Sequence, residues 1–311
     1  MTTKILIDTD PGVDDAMAIL FALRSPELEV LGLSAVYGNT DVEYTAQNAL
    51  RLVELEGNQH IPVAQGAARP LINPLRNKGQ QVHGVDGMGG TNPPPPKGKL
   101  QAMTAAQLII ETARAHPGEI VLVPVGPLTN IALALRLEPR LPELVKEVVI
   151  MGGAARPPGN ASPVGEANIV NDPHAASIVF NAGWKLTMVG LDVTMKTVMT
   201  PDYLESIRQA GNPATELIFS ILPFYQAFHN QVYGMGGAIH THDPSAIAYL
   251  INPALYHTQE LPVFVETEGH CAGQTVPDPR RQWEGVPLIN VCLEVDPPGV
   301  LELFRQRLTS A

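Results

Sequence analysis

Apolar residues along this chain fall into short dense runs, each closed by a polar break and followed by apolar positions at helical spacing. The first run, Lys4 to Ile7, ends at Asp8-Thr9-Asp10-Pro11-Gly12, and a periodic segment from Ala16 to Leu23 predicts the helix after it. Leu28 to Val36 is a second run. It stops at Tyr37-Gly38-Asn39-Thr40, where Asp41 is placed to start a helix reaching Leu55. Ile61 to Ala64 predicts a short third strand. The same alternation returns with a helix from Thr104 to Ala115 and a strand from Ile120 to Val125. A helix opening at Gly126-Pro127-Leu128-Thr129-Asn130 follows, then strands from Glu147 to Met151 and Lys185 to Val193. Strand and helix alternating in this way imply an α/β fold with a doubly wound, mainly parallel sheet. A length of 311 residues suits one such domain spanning 1–311.

Other stretches break the rhythm. From Gly66 to Leu100 the pattern dissolves into Pro, Gly and Asn, including Pro93-Pro94-Pro95-Pro96, and a loop this long inside a compact fold is a functional candidate. It contains His83-Gly84-Val85-Asp86-Gly87-Met88-Gly89-Gly90, whose glycines let backbone bend closely around a neighbour. Pro201 to Tyr233 reads as helical throughout. Gly234-Met235-Gly236-Gly237 then frees the chain before His240-Thr241-His242-Asp243-Pro244, where Asp243 is expected to cap a helix from Ser245 to Leu250. Apolar runs at Val263 to Glu266 and Leu288 to Val295, and a last helix from Gly299 to Leu308, read as support.

Charge narrows the partners. The formal net charge is −11 and no run of Lys or Arg occurs, which argues against polymeric nucleic acid and against an anionic membrane surface. No apolar run approaches the length needed to cross a bilayer, and with the first strand beginning almost at Met1 a cytoplasmic location is expected. Cys271 and Cys292 sit in otherwise apolar segments and read as small buried residues rather than a bridge.

The chemistry concentrates in the first turn. Four carboxylates, Asp8, Asp10, Asp14 and Asp15, stand at the carboxyl end of a strand, where open α/β sheets place their ligands. Asp8 and Asp10 share a strand face, whereas Asp14 and Asp15 are helix neighbours that point apart. Acids this close need raised pKa values, helix amides or a bound cation, and oxygen-only ligands favour calcium or magnesium. An EF-hand is excluded, because Ile19 holds the place of its bidentate acid and Pro11 interrupts the loop. The loop after Met151 adds Asn160, Glu166, Asn168, Asn171 and Asp172, with no cation after Arg156, a grouping suited to sugar hydroxyls.

With Tyr37-Gly38-Asn39, Gly126-Pro127-Leu128-Thr129-Asn130, Met151-Gly152-Gly153, Glu166-Ala167-Asn168 and His242-Asp243-Pro244 added in order to the opening motif, the chain resembles the nucleoside hydrolase family over nearly its whole length. The resemblance implies a Rossmann-like fold, one Ca2+ per chain, and hydrolysis of the N-glycosidic bond of ribonucleosides to ribose and free base. It further implies a calcium site from Asp10, Asp15, the main-chain carbonyl of Val125 and Asp243. Ribose is then held by Asp14, Asn39, Met151, Asn160, Glu166 and Asn168. Asp10 is the candidate base toward a water on the ion, and His242 the candidate acid for the leaving base, because its pKa suits neutral pH. His83 resembles the loop histidine that pyrimidine-preferring members place near the base, while His240 reads as solvated. Tyr225, Phe228 and Tyr233 are rings that can stack on a base, although helical aromatics more often belong to a core. Such a pocket, lined by Asp8, Asp10, Asp14, Asp15, Glu166 and Asp243, implies nucleosides rather than nucleotides as substrates. The family likeness also implies a homodimer or homotetramer and a role in nucleoside salvage.

Two rivals stand beside this reading. Asp8-x-Asp10 after an apolar strand is also the nucleophile pattern of haloacid-dehalogenase-type phosphohydrolases, but Gly190-Leu191-Asp192-Val193-Thr194 does not supply the acidic pair that family needs later. The other is a non-catalytic calcium- and ribose-binding module, against which intact Asp10 and His242 weigh.

Overall fold

The computed structural model describes residues 2–75 and 79–310. Its strands are β1 (Thr3–Thr9), β2 (Leu28–Ala35), β3 (Val63–Gln65), β4 (Ile120–Pro124), β5 (Glu147–Met151), β6 (Leu186–Val189), β7 (Val198–Met199), β8 (Ile239–His240), β9 (Tyr256–Val265), β10 (Thr275–Pro277) and β11 (Leu288–Val295). Nine of them form one sheet in the order β10-β9-β11-β6-β5-β4-β1-β2-β3, and β7 pairs with β8. The six strands from β3 to β6 along this order are parallel neighbours, as is β11 against β6, while β9 runs antiparallel to both β11 and β10. The mainly parallel, doubly wound expectation holds, with an antiparallel border.

Both faces are covered. On β1, Ile5 and Ile7 enter one core with the helices Val13–Leu23, Pro213–Tyr233 and Asp243–Ile251, while Leu6 enters the other with Ala105–Ala115 and Thr129–Leu137. A strand whose alternate residues are both buried must be apolar on both sides, which is why its signal is a continuous run. The strand order reverses direction between β1 and β4, so the crevice at their carboxyl ends is the natural ligand site of such a sheet.

Several boundaries differ from the sequence reading. The strand expected over Lys185 to Val193 ends at Val189, and Leu191–Thr194 is a short helix. Gly190 makes the break, because a side-chain carbon there would lie 2.6 Å from the Gly153 carbonyl oxygen. Pro201 to Tyr233 is two helices, Pro201–Arg208 and Pro213–Tyr233, parted by Gly211 at φ +58° and restarted by the Asn212 side chain, which accepts from Thr215 N–H. The long loop contains one helical turn, Gln80–His83, and the polar loop after β5 contains Ala167–Asn171. Asp243 is the first helical residue rather than the cap, so its carboxylate is free to turn elsewhere. Cys292 is buried as expected, but Cys271 is exposed.

Candidate active site

At the tip of β1 the chain turns through Asp10-Pro11-Gly12 into the helix Val13–Leu23. Asp15 holds this turn together. Its Oδ1 accepts from the Thr9 hydroxyl at 2.5 Å and from Asp10 N–H at 3.2 Å, and its Oδ2 accepts from Gly12 N–H at 3.0 Å and Asn39 Nδ2 at 2.8 Å. Asp10 Oδ2 accepts from Asn39 N–H at 2.7 Å, which leaves Oδ1 buried and without a partner among the described residues. Asp14 takes a different partner from Asp15, although the two keep an oxygen within 4.8 Å of each other. Its Oδ2 accepts from the Tyr225 hydroxyl at 3.2 Å, and its Oδ1 is also buried and unpartnered. Asp8 takes a different role from the one expected. It accepts from Ser34 Oγ and Asn130 Nδ2, and of the six acids expected to line the cavity only Asp14, Glu166 and Asp243 do so, with Asp8, Asp10 and Asp15 buried out of it.

Later segments close over this turn. Glu166 caps the helix Ala167–Asn171, accepting from Asn168 and Ile169 N–H, and also receives Gly153 N–H at 3.0 Å. Asn168 Nδ2 donates to the carbonyls of Val125 at 2.8 Å and Met151 at 3.1 Å, tying the tips of β4 and β5 together. Asn160 Oδ1 accepts from Ala167 N–H. Asp14, Asp15 and Asp243 each bring an oxygen within 4.8 Å of the others. Of the four ligands inferred from sequence, Asp15 and Asp243 thus meet directly. Asp10 lies outside that group, with its Oδ1 buried and unpartnered at the strand tip, and Val125 lines the cavity with its carbonyl engaged by Asn168.

These acids are packed where a charge is costly. Burial first, and then mutual repulsion, raises Asp10 and Asp243 well above the ordinary carboxylate range. Burial pushes Asp14 and Asp15 up to about 6, and Asp8 and Glu166 up to about 7. No lysine or arginine lines the cavity among the described residues. An all-oxygen donor set, buried orphan oxygens on Asp10 and Asp14, and no side-chain cation are the conditions that a hard divalent cation satisfies.

Above the acids the cavity changes character. It encloses about 640 Å³, and its other wall is made of rings: His83, Tyr225, Phe228, His229, Tyr233 and His242. Tyr225, Phe228 and Tyr233 therefore line the cavity instead of belonging only to a core. His83 Nδ1 accepts from Val13 N–H at 3.1 Å and lies 3.7 Å from Asp14, so the loop histidine is pinned to the acid turn. The close fit needs Gly12, where a side-chain carbon would stand 2.6 Å from His83 Nδ1 and 2.7 Å from Asn39 Nδ2. His242 Nδ1 pairs with the Thr194 hydroxyl at 2.9 Å. Burial, then the imidazoles of His240, His229 and His83, hold it well below the ordinary histidine range, so at rest it is neutral rather than poised near pH 7. His240 is not solvated. It is 8 % exposed, wedged between His229, Tyr233 and His242 at centroid distances of 5.3–5.8 Å.

The sequence reading passed over His229. Its signal was the spacing Tyr225, His229, Tyr233, a ring at every fourth position, which lays one helical stripe along the cavity.

The family model described as inosine-uridine preferring nucleoside hydrolase matches residues 5–302. The inosine-uridine preferring nucleoside hydrolase of Leishmania major is 44% identical over 281 residues, covering 89% of this chain and 88% of that protein. A probable uridine nucleosidase 2 of Arabidopsis thaliana is 39% identical over 313 residues, 98% of this chain and 97% of its own length. Among solved structures, a plant nucleoside hydrolase superposes with a TM-score of 0.96 at 36% identity, covering 100% of both chains.

Proposed function

We propose that this chain, which belongs to the inosine-uridine preferring nucleoside hydrolase family, hydrolyses the N-glycosidic bond of ribonucleosides to ribose and free base, acting as a single unit over 1–311. The observation that carries the proposal is the two-sided cavity, with buried carboxylates and amides on one side and a wall of rings on the other. A nucleoside has the same division, a polyhydroxylated sugar joined to a flat base. The volume of about 640 Å³ is ample for one such molecule.

Asp10, Asp15, Asp243 and the Val125 carbonyl are the proposed holders of a divalent cation, for which we propose calcium, with Asp14 close enough to Asp15 and Asp243 to share its field. When bound, the ion offsets the repulsion among these acids and makes nearby water a better nucleophile. Asp10 carries an unpartnered oxygen at the strand tip and takes the proton from the attacking water as oxygen bonds to the anomeric carbon. Asn39, Asn160, Asn168, the Met151 backbone and Glu166 hold the ribose. Asp14 and Glu166 add negative charge where the sugar becomes oxocarbenium-like. As the carbon–nitrogen bond breaks, its electrons leave with the base, which takes up a proton equal to the one water gave. His242 and His83 stand on the base side and stabilise that departure by hydrogen bonding.

The acids among the described lining residues, Asp14, Glu166 and Asp243, support nucleosides over nucleotides, since they would repel a phosphate. Incubating the purified protein with uridine, inosine, cytidine and uridine 5′-phosphate, and measuring reducing sugar, free base and inorganic phosphate, tests the whole reading. Ribose release from nucleosides alone is expected. Tight binding without release would favour the ribose-binding module, and phosphate release would favour the phosphohydrolase. Equal turnover of uridine and its 5′-phosphate would refute the charge argument.

A further inference from the structure

We propose that His229 reads the base: its Nε2 lone pair accepts a hydrogen bond from the ring N–H of a lactam-type base such as uracil or hypoxanthine. The inference rests on the nucleoside hydrolase reading and deepens it by naming the group that recognises the base edge.

The tautomer is fixed by a neighbour. His229 Nδ1 lies 3.0 Å from the Tyr225 carbonyl oxygen, one turn back on the helix Pro213–Tyr233. A carbonyl can only accept, so Nδ1 carries the hydrogen and Nε2 of the neutral ring is a bare acceptor. Burial pushes the imidazole down to about 4, which keeps it neutral at physiological pH. Nε2 is buried and has no partner among the described residues, although His229 is only 2 % exposed and lines the cavity. An acceptor left unmade in such a place is costly unless something that enters the cavity supplies the donor.

Position and surroundings identify that donor. Tyr225 marks the sugar end, because its hydroxyl donates to Asp14. His229 stands four residues beyond it on the helix, a rise of about 6 Å. In uracil the ring N–H points away from the glycosidic nitrogen, and therefore away from the sugar end. Rings surround the imidazole at centroid distances of 4.3 Å (Tyr225), 5.9 Å (Phe228) and 5.7 Å (Tyr233), a setting that accepts a flat heterocycle. The opposite hand of the site is fixed in the same way. His83 Nδ1 accepts from Val13 N–H, so its Nε2 carries the hydrogen. Tyr225 thus has a fixed acceptor ring at 4.3 Å and a fixed donor ring at 5.4 Å. The cavity thus offers, around Tyr225, an acceptor ring for the N–H and a donor ring for a C=O of a lactam.

The test compares kcat/KM for uridine and 3-methyluridine, in which the donor is replaced by a methyl group, with 4-nitrophenyl riboside as a substrate that has no base edge. The wild-type protein should prefer uridine to 3-methyluridine by about 30-fold or more, the order expected when a buried acceptor is left unpaired. In His229→Phe the ratio should collapse to within about three-fold, mainly through loss on uridine, while His229→Gln, which offers an amide oxygen as acceptor, should recover much of it. A wild-type ratio near one, or a ratio unchanged in both variants, would overturn the role of His229. Failure of the wild-type protein to cleave any of the three ribosides would instead overturn the hydrolase reading itself.

Discussion

The two walls of the cavity are built on different principles. The acid floor belongs to the sheet: Asp10, Asn39, Val125 and Met151 stand at or just past the tips of β1, β2, β4 and β5, and their polar groups bind one another. The ring wall belongs to the helix Pro213–Tyr233, the turn Gln80–His83 and the segment before Asp243, and its members meet as ring contacts. Asp10, Val125 and Met151 on the floor are almost wholly enclosed, and the wall opens to solvent at its end, where Tyr233 is 37 % exposed. A strand tip fixed on both sides by parallel neighbours holds a carboxylate where charge develops. A helix laid across the mouth can change its rings without disturbing the sheet. On the proposed function, the constant half of a nucleoside would face the rigid half of the site, and the variable half the replaceable one.

The largest effect should come from the floor. Asp10→Asn removes the unpartnered carboxylate oxygen while preserving the shape that accepts from Asn39 N–H. Turnover should fall by about 10³-fold or more on every riboside, because loss of a general base strikes water attack whatever the leaving group. Steady-state rates on uridine and 4-nitrophenyl riboside check this. Near-wild-type turnover on either would remove Asp10 from that role.

The wall should respond unequally. His242→Ala deletes a neutral imidazole paired with Thr194, and uridine cleavage should fall by about 10²-fold. The nitrophenyl riboside, whose leaving group departs without help, should lose far less. Equal losses on the two substrates would show that His242 positions the substrate, and would erase the division of labour between the walls.

The difference between the walls also explains what was legible in the sequence. Floor residues are local to strand ends, so Asp10, Asp15 and Asn39 announced themselves by following apolar runs, and Glu166 by its grouping with amides in the loop after β5. The parallel sheet was legible for the same reason, since each strand is a buried run followed by a break. Asp8 misled because strand alternation gives a shared face but not which neighbour covers it; Ser34 and Asn130, distant in sequence, take its carboxylate out of the site. The antiparallel border of β9 and β10 was not legible, because pairing direction leaves no mark on an isolated run. The wall depends on packing between the helix Pro213–Tyr233 and the loops around His83 and His240, contacts with no local signature. Hence His240 read as solvated and His229 went unread. The ordinary histidine pKa assumed for His242 failed likewise, since burial beside three other imidazoles is a property of the fold.

The smallest effect expected is one of stability, and it isolates the floor from catalysis. In the protein without a divalent ion, burial raises Asp14 and Asp15 to about 6 and Asp8 and Glu166 to about 7, from ordinary values of 3.8 for Asp and 4.5 for Glu. Across that window the folded state keeps protons that the unfolded chain has already released. Folding stability therefore declines as pH rises from about 4 toward 7, and the full benefit is present only at the acid end. The cation proposed for Asp10, Asp15 and Asp243 would favour the charged forms and oppose the decline. Chelator-treated protein should thus melt roughly 5 °C lower at pH 8 than at pH 5, an estimate scaled from a few kcal/mol of linkage in a chain of this size. Adding calcium, the ion proposed, should raise the pH 8 melting temperature more than the pH 5 one. Thermal unfolding followed by circular dichroism at the two pH values, with and without calcium, measures all four states. A chelated protein equally stable at both would mean that the acids carry their charge without an ion, and the floor would then owe its cohesion to Asn39, Thr9 and the strand-end amides alone.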